Sequence, residues 1–309
     1  MNELVVISGK GGTGKTSVVA SLAALADQPV LADCDVDAAD LHLVLAPRVQ
    51  RRADFLGGQR ARIKPGHCTT CGKCEELCRF DAIFFDGPGN GHLPRTFRVD
   101  PTACEGCGVC AHFCAQGAIE FGPAVTGQWF ISETRRGPMV HARLGVAQSN
   151  SGKLVHVVRS EARRIAKEQR RAVILVDGPP GIGCPVIASI TGATLVLAMT
   201  EPTLSGEHDL ERVLSLARHF RIPSAVCVNK WDLNPDLTRR IEQWASYAGA
   251  NSVGRIPYDP AVTAAQIQGK AVVELDHCPA AQAMIQVWKN ISQTFTHSAP
   301  GPAPPTSAP

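Results

Sequence analysis

The stretch Leu4-Val5-Val6-Ile7-Ser8-Gly9-Lys10-Gly11-Gly12-Thr13-Gly14-Lys15-Thr16-Ser17, almost at the start of a 309-residue chain, decides the fold. Its apolar run reads as a buried strand. Gly9, four residues and then Gly14-Lys15-Thr16 satisfy GxxxxGK(S/T), the spacing of a phosphate-binding loop. Glycines there let backbone N–H groups turn inward around an anion with no Cβ in the way. The Ala-, Leu- and Val-rich segment from Ser17 to Ala26 reads as the helix that follows, its N-terminus directing partial positive charge at the same anion. Gly9, Lys10, Gly11, Gly12, Thr13, Gly14, Lys15, Thr16 and Ser17 are therefore the candidate phosphate-binding residues.

Working outward, Pro29 to Ala32 reads as a second strand running into Asp33-Cys34-Asp35-Val36-Asp37. Carboxylates at the C-terminal edge of a parallel sheet face the crevice where ligands sit. Asp33 and Asp35 are placed to orient the magnesium that accompanies a nucleotide, or an attacking water. Asp37 best fits an N-cap for the segment Ala38 to Leu45. Ala172 to Val176 is a β-branched run of the buried parallel type, ending in Asp177-Gly178-Pro179-Pro180-Gly181. Asp177 stands where nucleotide hydrolases hold their magnesium water, and Gly181 can bring its N–H against a terminal phosphate. Strands at Thr194 to Met199 and Ser224 to Val228 alternate with a helix around Gly206 to Phe220. Asn229 can hydrogen-bond a purine edge, and Pro257, in the turn Ile256 to Pro260, can close the other side of the base. The alternation predicts an α/β fold: a mostly parallel, doubly wound sheet with helices on both faces.

Pro47 to Gly58 breaks this pattern and reads as a domain boundary. From Lys64 to Phe121 the texture changes to many Cys and Gly, with an internal repeat. Cys68-x-x-Cys71-x-x-Cys74-x-x-x-Cys78 is followed by Asp81-Ala82-Ile83, and Cys104-x-x-Cys107-x-x-Cys110-x-x-x-Cys114 by Gly117-Ala118-Ile119. A zinc site uses four ligands, commonly two CxxC pairs or Cys with His. CxxCxxCxxxC occurring twice is instead the two-cluster ferredoxin arrangement, with eight thiolates around two cubanes. By that resemblance Cys68, Cys71, Cys74 and Cys114 hold one [4Fe-4S] cluster, and Cys104, Cys107, Cys110 and Cys78 hold the second. Bacterial ferredoxins usually place Pro after the fourth Cys; here those positions are Arg79 and Ala115.

The formal net charge of +3 is nearly balanced, and its basic clusters are dispersed, which points away from nucleic acid and membrane surfaces as partners. No leader-like basic and apolar segment precedes Leu4, and no apolar run approaches the roughly 18 residues of a membrane span. The expected setting is cytoplasmic, which turns the clustered cysteines towards metal rather than disulfides. Gln128 to Ile131 and Met139 to Leu144 read as a hairpin, Asn150 to Lys153 as the cap of a helix running to about Arg170, and Ala280 to Phe295 as an amphipathic helix that packs on the sheet. The Pro-, Ala- and Ser-rich tail from Ser298 is expected to be disordered. The expected organisation is an ATPase domain at 1–58 and 122–296, an inserted two-cluster domain at 59–121, and a tail at 297–309.

With Lys10 counted, the loop resembles the deviant Walker A motif of the MinD, ParA, Mrp and nitrogenase iron protein class of ATPases. Asp33-Cys34-Asp35 is similar to the second acidic motif of that class and Asp177 to Gly181 to its Walker B and switch region. The chain outside the tail resembles MinD-like ATPases containing an inserted ferredoxin domain, the segments Thr200-Glu201-Pro202-Thr203 and Asn150 to Lys153 included. The resemblance implies that Lys15 holds the β and γ phosphates, Thr16 ligates Mg2+, Asp35 positions water, Asp33 and Asp177 support the metal, and Lys10 reaches across a dimer interface to the partner's nucleotide. Asn229-Lys230-Trp231-Asp232 fits the guanine-reading NKxD pattern too, but the Lys10 motif typifies users of ATP/ADP. Asp40 stands where many relatives have Asn. Cys184 follows Asp177 by seven residues, the spacing of a bridging cluster ligand in the nitrogenase iron protein class, but the second cysteine such a bridge needs is missing near Gln148-Ser149. Cys184 is accordingly read as a free buried cysteine.

The function these features imply is nucleotide-gated electron transfer through two [4Fe-4S] clusters. The partners would be a second copy or a related ATPase, making a homodimer or heterodimer, and a redox protein or metallocluster protein as acceptor. The alternative is an ATP-dependent scaffold or carrier for metal clusters, against which the absence of a C-terminal CxxC pair counts. A MinD-like positioning role would need the basic amphipathic C-terminal helix that this chain lacks.

Overall fold

The computed structural model describes residues 1–145, 151–275 and 277–297. In chain order its strands and helices are β1 (Asn2–Ser8), α1 (Lys15–Leu25), β2 (Val30–Asp33), α2 (Leu41–Leu45), β3 (Arg48–Ile63), α3 (Lys73–Glu76), β4 (Ile83–Pro88), β5 (Arg95–Val99), α4 (Val109–His112), β6 (Ile119–Thr134) and β7 (Gly137–Leu144). There follow α5 (Ser151–Glu168), β8 (Val173–Pro180), α6 (Cys184–Ile190), β9 (Leu195–Thr200), α7 (Leu204–His219), β10 (Ser224–Asn229), α8 (Pro235–Tyr247), β11 (Asn251–Ile256), α9 (Pro260–Ile267) and α10 (Pro279–His297).

The main sheet has the order β11-β10-β9-β1-β8-β2-β7-β6-β3. Every pairing from β11 to β7 is parallel, while β6 and β3 run antiparallel to their neighbours. A parallel strand covered on both faces must be apolar throughout, and β1 shows why the run Leu4 to Ile7 suits it. Leu4 and Val6 pack with Val18, Val19 and Leu22 of α1 and Met284 and Ile291 of α10, while Val5 and Ile7 pack with Val155 and Val158 of α5 and Val213 of α7. The C-terminal edges of β1, β2, β8 and β10 deliver the glycine loop, Asp33, Asp177 and Asn229 to one crevice. Asp33 and Asp177 are register partners across β2 and β8.

The strands β3 and β6 pair along their whole length, from Arg48 opposite Glu133 to Ile63 opposite Ile119. The Pro47 to Gly58 stretch, expected to be a boundary, is therefore mostly strand: its Arg, Gly and Gln residues lie on a sheet-edge strand that water can reach. Between Ile63 and Ile119 the chain forms a small unit with its own two-stranded sheet, β4-β5, and two single-turn helices. Its core is Ala61, Ile63, Ile83, Phe97 and Ile119, ringed by Cys68, Cys74, Cys78, Cys104, Cys110 and Cys114. Gly106, at φ +67, lets the second cysteine loop touch β3: a Cβ there would lie 2.2 Å from the Gln59 carbonyl oxygen.

The expected hairpin is present and longer than expected, turning at Arg135-Arg136 between β6 and β7. Asp37 does not cap a helix. The helix α2 starts only at Leu41 with Asp40 at the cap position, because Asp33 accepts the Leu41 N–H from inside the fold. Asn150 and the tail from Ser298 lie outside the described residues. Among the described residues no helix is long and apolar enough to cross a membrane.

Candidate nucleotide and thiol sites

The loop between β1 and α1 borders a cavity of about 910 Å³. Gly11, Gly12, Gly14, Lys15, Thr16 and Ser17 form one wall; Asp35, Asp37 and Asp40 stand opposite with Pro179 and Pro180; Leu43 and Val44 of α2 and Val262, Thr263, Gln266 and Ile267 of α9 close the ends. The loop is held open by its neighbours. Asn229 Nδ2 donates to the Thr13 carbonyl at 2.9 Å, and Gly14, at φ +86, has to be glycine twice over because a Cβ would lie 2.5 Å from that nitrogen.

Thr16 Oγ1 donates to Asp177 Oδ2 at 2.7 Å. The other Asp177 oxygen, Oδ1, is buried without a hydrogen-bond partner, as is Thr13 Oγ1. Burial pushes the Asp177 carboxyl up to about 7, against the opposing pull of Thr16 and the Lys15 charge. A hydroxyl beside a carboxylate with an oxygen to spare fits Mg2+, which takes one or two protein ligands alongside phosphate oxygens and water. Asp33 has a different task from the expected metal support. It is fully buried and accepts the N–H groups of Asp35 at 3.2 Å and Leu41 at 3.3 Å, so it braces the acidic loop. Burial first, and then the charges of Asp177 and Asp35, push its carboxyl well above the usual range. Asp35 lines the cavity half-buried; burial raises its carboxyl while Lys15 pulls it down.

Residues 4–272 match the family model of the CobQ/CobB/MinD/ParA nucleotide-binding domain. The chain belongs to this family. It is 33% identical over 236 residues to an uncharacterized protein of Methanocaldococcus jannaschii, covering 75% of this chain and 79% of that one. A second uncharacterized protein of the same organism is 23% identical over 294 residues. Among solved structures, the cell division ATPase MinD of Pyrococcus furiosus superposes with a TM-score of 0.54 at 18% identity, covering 95% of this chain and 99% of that one. MinD of Pyrococcus horikoshii, in complex with Mg-ADP, superposes with a TM-score of 0.56 at 16% identity, covering 96% and 98%. These likenesses show a shared fold.

Lys10, which the resemblance sends to a partner's nucleotide, is off this chain's cavity wall, its Nζ 3.5 Å from Glu201 Oε2 and within 3.4 Å of Thr203 Oγ1. Three other expected contacts lie differently. The Gly181 N–H donates to the Ser8 carbonyl at 2.8 Å, so it faces the end of β1 instead of a phosphate. Asn229 is engaged by the loop itself, and Asp232 Oδ1 accepts the Tyr258 N–H at 2.7 Å. Pro257 is not on the wall; α9 takes its place. Gln266 Nε2 donates to Ser17 Oγ at 2.8 Å, a contact that the sequence does not announce. Asp259 and Pro260 signal that a helix begins, but nothing local says that it returns to the P-loop.

The second site is thiol-lined. Cys68, Cys71, Cys74 and Cys114 border a cavity of about 190 Å³, with Cys110 also on its wall. Cys78, Cys104, Cys107 and Cys110 border a smaller, separate one. The fourth cysteine of each run thus stands with three of the other run. The repeat extends to hydrogen bonds: Ala82 N–H donates to Cys78 Sγ at 3.4 Å and Ala118 N–H to Cys114 Sγ at 3.3 Å. Burial pushes the Cys74 thiol up to about 11 and raises Cys110 as well. All of the cysteines are free. Among the described residues no three His, Cys, Asp or Glu side chains converge on a single-ion point; the thiols surround a space instead. Such a donor set fits a cluster held from its periphery. Cys184, expected to be buried, is exposed at the first position of α6, because β8 ends at Pro180 and the chain has already turned out of the sheet.

Proposed function

We propose that this chain is an ATP-hydrolysing iron-sulfur protein whose nucleotide-dependent dimerisation gates electron transfer through two [4Fe-4S] clusters to a redox protein or metallocluster. The observation that carries this reading is the exchange of the fourth cysteine between two thiol-lined cavities, which is the ligand sharing of two-cluster ferredoxins. On this reading residues 59–121 form an inserted ferredoxin-like domain in a cytoplasmic ATPase, and the clusters supply one-electron storage when bound.

In the nucleotide site Lys15 would hold the β and γ phosphates and the loop N–H groups the rest of the polyphosphate. Thr16 and Asp177 would hold Mg2+, which neutralises charge on the phosphates. Asp35, on the facing wall, would orient the attacking water. ATP is favoured over GTP because the loop with Lys10 resembles that of a class of ATPases. Both long strands that frame the small unit lead back to the nucleotide cavity: β3 starts just after α2, and the turn after β6 is bonded to α2 through Arg135 and the Val44 carbonyl at 2.9 Å.

The test is anaerobic purification with iron and sulfide counted before and after ATP turnover. About eight of each per chain, retained through turnover, with reduction or reoxidation rates that change with ATP, is the expected result. Stoichiometric zinc would overturn the cluster reading; loss of iron to an apo-acceptor on turnover would replace electron transfer by cluster delivery.

A further inference from the structure

We propose that the open groove between the β3–β6 arm and the small unit is the docking site of an acidic redox protein. This rests on the two-cluster reading above and names the surface and the chemistry of the partner. The groove encloses about 940 Å³. Arg60 and Arg62 of β3 and Arg98 of β5 line it, and Glu120, the acidic residue on the same wall, is bonded to Lys64 at 2.6 Å. Asp86, just outside, pairs with Arg98 at 2.7 Å.

Three features point the groove at an electron partner. Its floor is thin: Ile63 and Phe97 line both the groove and the cavity bordered by Cys68, Cys71, Cys74 and Cys114. A group seated there is one side-chain layer from that cavity, and electron transfer falls steeply with distance. The charge is concentrated as well. The β3 segment Arg48 to Ile63 carries five Arg and one Asp, in a chain whose whole net charge is +3. Arginines on an edge strand also discourage sheet-to-sheet pairing. That accounts for Arg51 and Arg52, which lie over the Trp129 and Phe130 rings away from the groove, but not for Arg62 on its wall, where Arg98 is held by Asp86. Finally, exposed Phe121 lines the groove together with Pro65, Pro88, Pro101 and Pro123, an apolar surface wider than a small anion would cover. A basic rim around apolar contacts matches an acidic protein by charge complementarity.

The probe is flavodoxin, a small acidic flavoprotein, titrated into the anaerobic holoprotein by calorimetry across a salt series. Arg62→Glu and Arg98→Glu, with Arg62→Gln as the milder change, should raise Kd about tenfold or more at low salt and flatten its salt dependence. Arg239→Glu on α8, near the opposite sheet edge, should leave Kd within about twofold. Iron and sulfide content, measured on each variant, separates the two readings: arginine-dependent binding to a chain without clusters would keep the surface and remove its redox role. Unchanged Kd in the groove variants, equal weakening by Arg239→Glu, or binding of free flavin mononucleotide with the same arginine dependence and no binding of flavodoxin would each overturn the proposal.

Discussion

Lys10 Nζ lies 3.5 Å from Glu201 Oε2 of its own chain, and the other oxygen of that carboxylate, Oε1, accepts from Lys230 Nζ at 2.6 Å. The lysine that the family resemblance sends to a partner's nucleotide is here held in cis, a third exposed. Ion pairs of this exposure are worth about 0–1 kcal/mol, so the hold is light. Glu201→Gln should tighten ATP-dependent dimerisation by about two- to fivefold, read by sedimentation with and without nucleotide, while Lys10→Ala abolishes it. A weaker dimer in Glu201→Gln would mean that Glu201 supports the crossing lysine instead of restraining it.

In the proposed function the Thr16 hydroxyl and the Asp177 carboxylate, bonded at 2.7 Å, hold Mg2+. Thr16→Val removes the hydroxyl but keeps the side-chain volume. Magnesium-dependent tightening of ADP binding should fall by about 10-fold or more, at least the loss seen when a partner of a metal ligand is removed, with metal-free ADP binding changed little. Titrating Mg2+ against a fluorescent ADP analogue measures both. Equal loss with and without Mg2+ would assign Thr16 to the nucleotide alone.

Legibility in the sequence followed the range of the interactions. The P-loop, β1, β8 and the two cysteine runs are local patterns whose chemistry fixes their spacing, and the structure brings their residues to two sites. Asp33, Gly181 and Asn229 lie at the expected edge, yet each spends polar groups on backbone: Asp33 on the Asp35 and Leu41 N–H groups of its own loop, Gly181 on the Ser8 carbonyl and Asn229 on the Thr13 carbonyl. No local pattern encodes the Asn229 contact with Thr13 or the Gln266 contact with Ser17, since both partners come from opposite ends of the chain. The β3 segment was obscured because an edge strand facing water need not alternate cleanly, and Arg and Gly blurred it further. Residue type favours burial of Cys184, whereas its exposure depends on how the loop after Asp177 leaves the sheet.

Gln266 and Ser17 offer a test of the wall formed by α9. Their 2.8 Å bond sits next to Thr16, where the α-phosphate side of a bound nucleotide would lie. Gln266→Ala and Ser17→Ala should each weaken ADP binding by a few-fold, and the double variant by less than their product, since the two groups act as one. Gln266→Glu adds a negative charge beside the phosphates and should weaken binding more than Gln266→Ala. Additive effects in the cycle would separate the two residues.

The exchanged cysteines predict which cluster each variant loses. Cys114→Ser alters the cavity bordered by Cys68, Cys71 and Cys74, and Cys78→Ser the one bordered by Cys104, Cys107 and Cys110. Each single variant should therefore retain about half of the iron, and Cys114→Ser combined with Cys68→Ser should retain as much as either alone. Combining Cys114→Ser with Cys104→Ser should remove nearly all of it. The reverse pattern, with losses grouped by sequence run, would mean that each run closes on itself.

Acid stability should change in two stages with opposite neighbours in control. His141 lies on β7 against Phe130 with Nε2 2.8 Å from Ser132 Oγ; burial, aided by the His42 charge, lowers its pKa to about 4. The unfolded chain binds that proton near 6.5, so stability is lost as pH falls from about 6.5 to about 4. Glu274 takes over below. Burial alone would raise its carboxyl, but Arg135, the Ala271 N–H and Arg136 bring it down to about 2. Its contribution is complete above about 4.5 and is lost as pH falls towards 2. Arg135 at the same time bonds the Val44 and Gly269 carbonyls, so the carboxylate holds together the turn after β6, the end of α2 and the end of α9. Glu274→Gln should cost about 1–2 kcal/mol near pH 7 in denaturant unfolding, discounted for partial exposure. The gap between wild type and Glu274→Gln should stay constant down to about pH 4.5 and close below it. Comparing the two chains at each pH cancels any cluster loss common to both, and a gap that persisted to pH 2 would remove the carboxylate's charge from the account.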